Sequence, residues 1–208
     1  MARRTGAKCR LCRRESMKLY LKGIRCSGDK CAIERRNTVP GQHVRAKRKL
    51  STYGVQLREK QKMKKMYGML EKQFRIFFDR SARKKGVTGD ILIQLLERRL
   101  DNIIYRLLFV TSRAEARQMV YHGLIKVNGK KVTIPSYTVK VDDVIEVAKK
   151  DSVEKRVKDN LEMFKDRVVP EWLSLDRNLI QGKIERLPTK VDAHLPIEEN
   201  LIVELYSK

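Results

Sequence analysis

The chain has 208 residues, with 48 Lys and Arg against 25 Asp and Glu, for a formal net charge of +23 at pH 7. Hydrophobic residues make up 41% and aromatics 6%, too many for a disordered polycation and enough for one to three modest domains. No uninterrupted apolar run reaches the ~18 residues of a membrane span, and the charged start MARRTGAKCRLCRR has no apolar stretch behind it as a secretory signal would. A cytoplasmic protein with a polyanionic partner is expected, with nucleic acid preferred over anionic membrane.

The charge is graded along the chain. The net value is +13 over residues 1–50, +8 over 51–100, +4 over 101–150 and −2 over 151–208. The polyanion is therefore expected on the first half, and the near-neutral last quarter is left for packing or for a protein contact.

Four cysteines, Cys9, Cys12, Cys26 and Cys31, form C-x2-C, a spacer of 13 residues, and C-x4-C. Tetrahedral zinc takes four thiolates delivered as two short-spaced pairs, so one structural Zn2+ is expected. Four protein ligands leave no open position for catalysis, and a metal would supply folding energy that residues 1–45, poor in large apolar groups, lack. Gly23 and Gly28 loosen the backbone between the pairs, and Arg10, Arg13, Arg14 and Arg25 favour thiolates. An iron–sulfur cluster uses the same ligands; disulfides suit an oxidising compartment better.

Pro40 and Gly41 mark a turn before the basic run Arg45-Ala46-Lys47-Arg48-Lys49, which reads as a phosphate-binding strap. Residues 51–83 read as helix, with Ser51 as N-cap. Met63, Met66, Tyr67, Leu70, Phe74, Phe77 and Phe78 make its core stripe. Arg58, Lys60, Lys62, Lys64, Lys65, Lys72 and Arg75 lie opposite. Lys84-Lys85-Gly86 is a break, followed by ILIQLLERRLDNIIYRLLFV, two helices meeting near Glu97–Arg99.

Residues 98–148 read as a compact module. Ser112-Arg113-Ala114-Glu115 is a capping box opening a helix with Ala114, Ala116, Met119 and Val120 inward, ended by Gly123. LIKV-NG-KKV is a hairpin with a type I′ turn at Asn128-Gly129. Tyr137–Lys140 and Val144–Val147 continue the β-rich stretch. Residues 151–165 form a charged helix with Val153, Val157, Leu161 and Phe164 on one side. Pro170, Trp172 and Leu173 begin a less regular segment, and LIVELY near the end reads as a strand.

RLDNIIYRLLFVTSRAEARQMVYHGLIKVNG, residues 99–129, resembles the RNA-binding domain first described in ribosomal protein S-four. PGQH at 40–43, STYGVQLREKQK at 51–62, YGMLEKQFR at 67–75 and LIVELYSK at 201–208 resemble the bacterial-type S-four family itself, nearly end to end. The resemblance implies an α+β, multidomain chain. It would have a zinc-knuckle segment at 1–45, a mainly helical body from 46–97 plus 165–208, and an inserted module of two helices and an antiparallel sheet at 98–164. It implies a structural protein of the small ribosomal subunit, not an enzyme. Such a protein binds small-subunit ribosomal RNA at a helix junction and nucleates the subunit body. It touches messenger RNA near the path by which the messenger enters, and borders ribosomal protein S-five, with an effect on decoding accuracy.

The RNA-binding candidates follow from charge and from that resemblance. In the cysteine segment they are Arg3, Arg4, Arg10, Arg13, Arg14, Arg35 and Arg36. His43, Arg45, Lys47, Arg48 and Lys49 lie in the strap. Tyr53, Arg58, Lys60, Lys62, Lys84 and Lys85 belong to the helical body. In the module they are Arg99, Asn102, Arg106, Arg113, Arg117, His122, Lys126, Asn128, Lys130 and Lys131. Arg suits phosphate because its planar fork makes paired hydrogen bonds. Tyr53, Tyr67 and His43 could stack on splayed bases, although Tyr67 sits on the apolar stripe and Asn128 is explained by its turn. Two departures from the family stand out: all four N-terminal cysteines are present where many members lack them, and Leu108 stands where a small residue is usual. The competing readings are a zinc-finger DNA regulator and an RNA-modifying enzyme carrying this module. No dimer seam and no catalytic constellation supports either.

Overall fold

The computed structural model describes residues 4–42 and 49–207. The chain divides into two compact units, residues 1–92 with 195–208, and residues 93–194.

In the first unit, the cysteine segment contains α1 (Lys8–Glu15), a 3-10 turn (Gly23–Cys26) and α2 (Ala32–Arg35). The stretch 51–83 is two helices, α3 (Thr52–Met66) and α4 (Glu71–Ala82), rather than one. Gly68 separates them at φ +63°, a left-handed conformation that costs glycine nothing. Ser51 caps α3 as expected, its Oγ accepting from the Gly54 N–H at 3.2 Å. Met63, Met66, Tyr67, Phe74, Phe77 and Phe78 are all buried, whereas Leu70 stays exposed as the N-cap of α4.

The terminal LIVELY is helical, within α10 (Glu199–Tyr206), not a strand. Its β-branched residues suggest a strand, but its neighbours are helices, and packing overrides weak propensity. Gln56 of α3 donates to Glu204 at 2.8 Å, and the Phe78 and Tyr206 rings stack at 4.4 Å. The Tyr206 hydroxyl donates to Glu71 at 2.8 Å, joined there by Lys60 and Lys64, each at 2.7 Å. Burial opposes ionisation of Glu71, but these three donors outweigh it and hold the carboxyl at about 2, against an ordinary 4.5. A depressed carboxyl stabilises the fold above its unfolded value and loses that contribution as pH falls through the folded one. Docking of α10 should therefore weaken between pH 4.5 and pH 2. Amide exchange over 199–206 would report it, and Glu71→Gln should flatten that pH dependence.

The second unit takes the last part of α5 (Thr88–Glu97), then α6 (Leu100–Arg106) and α7 (Arg113–Tyr121). Strands β1 (Ile125–Val127), β2 (Lys130–Lys131) and β3 (Val144–Val147) precede α8 (Asp151–Met163), and β4 (Leu173–Asp176), β5 (Gln181–Ile184) and α9 (Lys190–Ala193) follow it. The five strands form one antiparallel sheet in the order β2-β1-β3-β5-β4. This moves the expected boundary. Residues 165–194 belong with the module, because β5 pairs with β3 and Trp172 lies in the same core as Leu100, Phe109 and Ile145. Only 195–208 return to the first unit. Tyr137–Lys140 is not a strand; it contributes one bridge, Thr138 to Arg99.

The local signals of the module hold with one shift. Ser112 Oγ accepts from the Glu115 N–H at 3.3 Å, but the Glu115 carboxylate reaches back to the Thr111 N–H at 3.0 Å rather than to residue 112. Ala114 is exposed, not inward. Asn128 and Gly129 have φ of 50° and 74°, the pair of positive values a type I′ turn requires. Leu108 has φ 63°, a left-handed conformation that favours glycine.

Candidate nucleic-acid interface

The cysteine segment is fixed to α3 by one of its few acids. Buried Glu15 accepts from Arg58 at 3.2 Å and from Lys65 at 2.5 Å. Cys9, Cys12, Cys26 and Cys31 are free thiols lining one small cavity, so the disulfide alternative is not realised. Burial pushes the Cys12 thiol up, against the lowering effect of a hydrogen bond from the Leu19 backbone. The Lys22 N–H donates to Cys26 Sγ at 3.3 Å. Among the described residues no group of three or more His, Cys, Asp or Glu is arranged as a metal-holding cluster. The zinc knuckle is thus not shown, although four soft donors on a single cavity are the set that such a metal takes.

The other face of α1 borders a basic cavity of about 390 Å³, lined by Arg4, Arg10, Arg14 and Lys65 with Gly6, Ala7, Leu11 and Pro40. Arg4, Arg10 and Arg14 are exposed and pair with no acid among the described residues. Arg13 differs: its Nε donates to the Thr38 carbonyl at 2.7 Å. Arg35, Arg36 and Lys49 are exposed, as are Tyr53, Lys84 and Lys85. Arg3, His43, Arg45, Lys47 and Arg48 lie outside the described residues. Three body candidates are engaged internally: Arg58 with Glu15, Lys60 with Glu71, and Lys62 with Glu59. Tyr67 is buried and cannot stack on a base.

In the module, five of the ten candidates turn inward. Arg99 is fully buried and grips Asp101 through Nε at 3.0 Å and Nη2 at 2.6 Å. Arg117 faces the same carboxylate at 3.7 Å. Asn102 Nδ2 donates to the Glu97 carbonyl at 2.9 Å and to Glu97 Oε2 at 2.8 Å. Arg106 closes on Glu97 through Nε at 3.0 Å and Nη2 at 2.8 Å. Arg113 donates to Asn102 Oδ1 at 2.7 Å and lies over the Tyr105 ring. Buried charge has to be paired, and here the pairing partners are Glu97 and Asp101, two acids the sequence reading passed over. Asn128 also serves structure, donating to Asp143 at 2.8 Å and accepting from the Val144 N–H at 2.8 Å. His122, Lys130 and Lys131 are exposed and Lys126 half-exposed. Beside them stands Tyr121, the most exposed aromatic among the described residues. Sequence reasoning missed it, although its place three residues after Gln118, on the polar side of the helix, was the available signal.

No described helix is long and apolar enough to cross a membrane. Residues 3–97 match the family described as ribosomal protein S4/S9 N-terminal domain, and residues 98–145 match the S4 domain. The chain is similar over its whole length, and the whole of theirs, to proteins named small ribosomal subunit protein uS4 from Geotalea daltonii, at 56% identity, and from Acetivibrio thermocellus, at 57%. It is 56% identical, again end to end, to small ribosomal subunit protein uS4A from Alkaliphilus metalliredigens. A chain with both domains in order and such relatives belongs to the uS4 family of small ribosomal subunit proteins.

Proposed function

We propose that this structural ribosomal protein binds small-subunit ribosomal RNA at a helix junction, through its unpaired cations and largely by shape. The observation that carries the reading is the sorting of its charges. Arg58, Lys60, Lys62, Arg99, Arg106 and Arg117 hold the protein together. Arg4, Arg10, Arg14, Lys126, Lys130 and Lys131 have no acidic partner in the described residues and point to an external one. An A-form groove hides base edges from side chains, so phosphates and 2′-hydroxyls are the accessible targets. In this reading Cys9, Cys12, Cys26 and Cys31 hold one structural Zn2+ that orders the segment carrying the first three of these arginines. The four-thiol cavity supports that, and an iron–sulfur cluster is the competing occupant.

The test is filter binding of the full chain to small-subunit ribosomal RNA, with transfer RNA and duplex DNA as competitors and metal content measured on each sample. The expected result is retention that survives both competitors and one zinc per chain, lost together with tight binding in Cys26→Ser. Equal retention of all polyanions would overturn the specific reading. The finer partners, messenger RNA near where it enters and ribosomal protein S-five, rest on the family resemblance and on the near-neutral C-terminal quarter. Adding a messenger fragment and purified S-five to the preformed complex tests them, and retention of neither would strike both.

A further inference from the structure

We propose that Tyr121 is a stacking platform for one unpaired nucleobase of the bound RNA, with Lys126 and Lys131 taking the adjoining phosphates. The inference rests on the RNA-binding reading above and adds a site to it.

Tyr121 is the last residue of α7 and is 63% exposed. In the same unit Phe109, Phe164 and Trp172 are buried, and Tyr105 lies under Arg113. A large ring left in water on a helix end is open to an external partner. The His122 ring stands edge-on to it at 6.1 Å and 77°, so one ring face is free of the protein's own aromatics. The exposed positions of α7 are Ala114, Gln118 and Tyr121, none of them acidic. The Glu115 carboxylate is turned away, to Thr111 and Arg156. Nothing on this face repels a phosphate.

The hairpin that follows is built at an electrostatic cost. Lys126 and Lys131 are direct cross-strand partners, and like charges placed opposite each other destabilise a sheet. The Lys131 side chain lies over Gly123, two residues after Tyr121, in the space where a β-carbon on residue 123 would sit, and Gly123 is at φ +68°. Lys126 has Glu146 opposite it on β3, but no ion pair forms between them among the described residues, and Lys131 has no acidic partner there. An anion from outside relieves this repulsion, and one nucleotide supplies both the anion and a π-face for the ring. Stacking on exposed aromatics tolerates any base, so this site contributes affinity and local geometry rather than base identity.

The experiment uses the full chain and a small-subunit ribosomal RNA fragment. Tyr121→Phe should bind within twofold of the parent. Tyr121→Ala should lose about 5- to 150-fold with the slope of log affinity against log salt unchanged, because no charge is removed. Lys131→Gln should instead shallow that slope by about one. Trp172 fluorescence confirms that each variant is folded. If the parent prefers the RNA over transfer RNA but Tyr121→Ala binds equally well, the stacking proposal is wrong and the RNA reading stands. An equal loss in Phe and Ala would assign the hydroxyl and also overturn the stacking. A parent that does not discriminate between RNAs would overturn both.

Discussion

Glu97→Ala should destabilise the unit 93–194 by roughly 3–5 kcal/mol, the usual cost of removing one partner of a buried ion pair. Urea denaturation followed by Trp172, buried in that unit's core, would measure it. Glu97 closes α5 with its side chain fully buried, and both carboxylate oxygens accept hydrogen bonds from Asn102 and Arg106. Removing it leaves the guanidinium of Arg106 without its carboxylate, and Asn102, which also holds Arg113, without its side-chain acceptor. Glu97→Gln keeps the volume but turns an amide donor toward donors, and should cost about 1.5–3 kcal/mol, as for lost hydrogen bonds to charged groups. An exposed pair provides the scale for comparison. Arg186 bonds Asp192 at 2.7 and 2.8 Å, yet its side chain is 42% exposed, so Arg186→Gln should leave stability nearly unchanged. A Glu97→Ala loss as small as that would mean the network does not hold the α5–α6 break.

Much of the fold was legible wherever one residue type has one geometric use. Ser51, Ser112 and Asn128-Gly129 announced two helix starts and a hairpin, and the methionine and phenylalanine stripe announced a buried helical face, though not the break at Gly68 that divides it between two helices. Strands β4 and β5 were not legible. QGKI carries a glycine in a strand interior, which normally argues against a strand. Its reason lies in tertiary structure: a β-carbon on Gly182 would collide with Leu107 of the core. The candidate site was legible as charge and illegible as pairing. Arg99 and Lys130 look alike in a sequence, and only the position of Asp101 two residues on, with the burial of the α5–α6 break, separates a structural arginine from a free cation. The resemblance to RNA-binding relatives reinforced that confusion, because a polar residue kept for an internal network looks the same as one kept for a ligand.

That separation fixes the second large effect, on salt. If Arg4, Arg10, Arg14, Lys126, Lys130 and Lys131 each neutralise one phosphate, log affinity should fall against log salt with a slope of about −5, taking ~0.9 per phosphate from duplex DNA. Between 50 and 200 mM salt the loss is then roughly 10³-fold, and contacts from the strap at 45–49 would steepen it. Arg10→Gln should shallow the slope by about one. Arg58→Gln removes the same formal charge but breaks the pair with Glu15, so it should leave the slope in place and lower the melting temperature of the first unit instead. Filter binding across the salt series, run beside thermal melts of both variants, separates the two classes of arginine. Equal slope changes in Arg10→Gln and Arg58→Gln would show that net charge, not the sorting of paired from unpaired cations, governs binding.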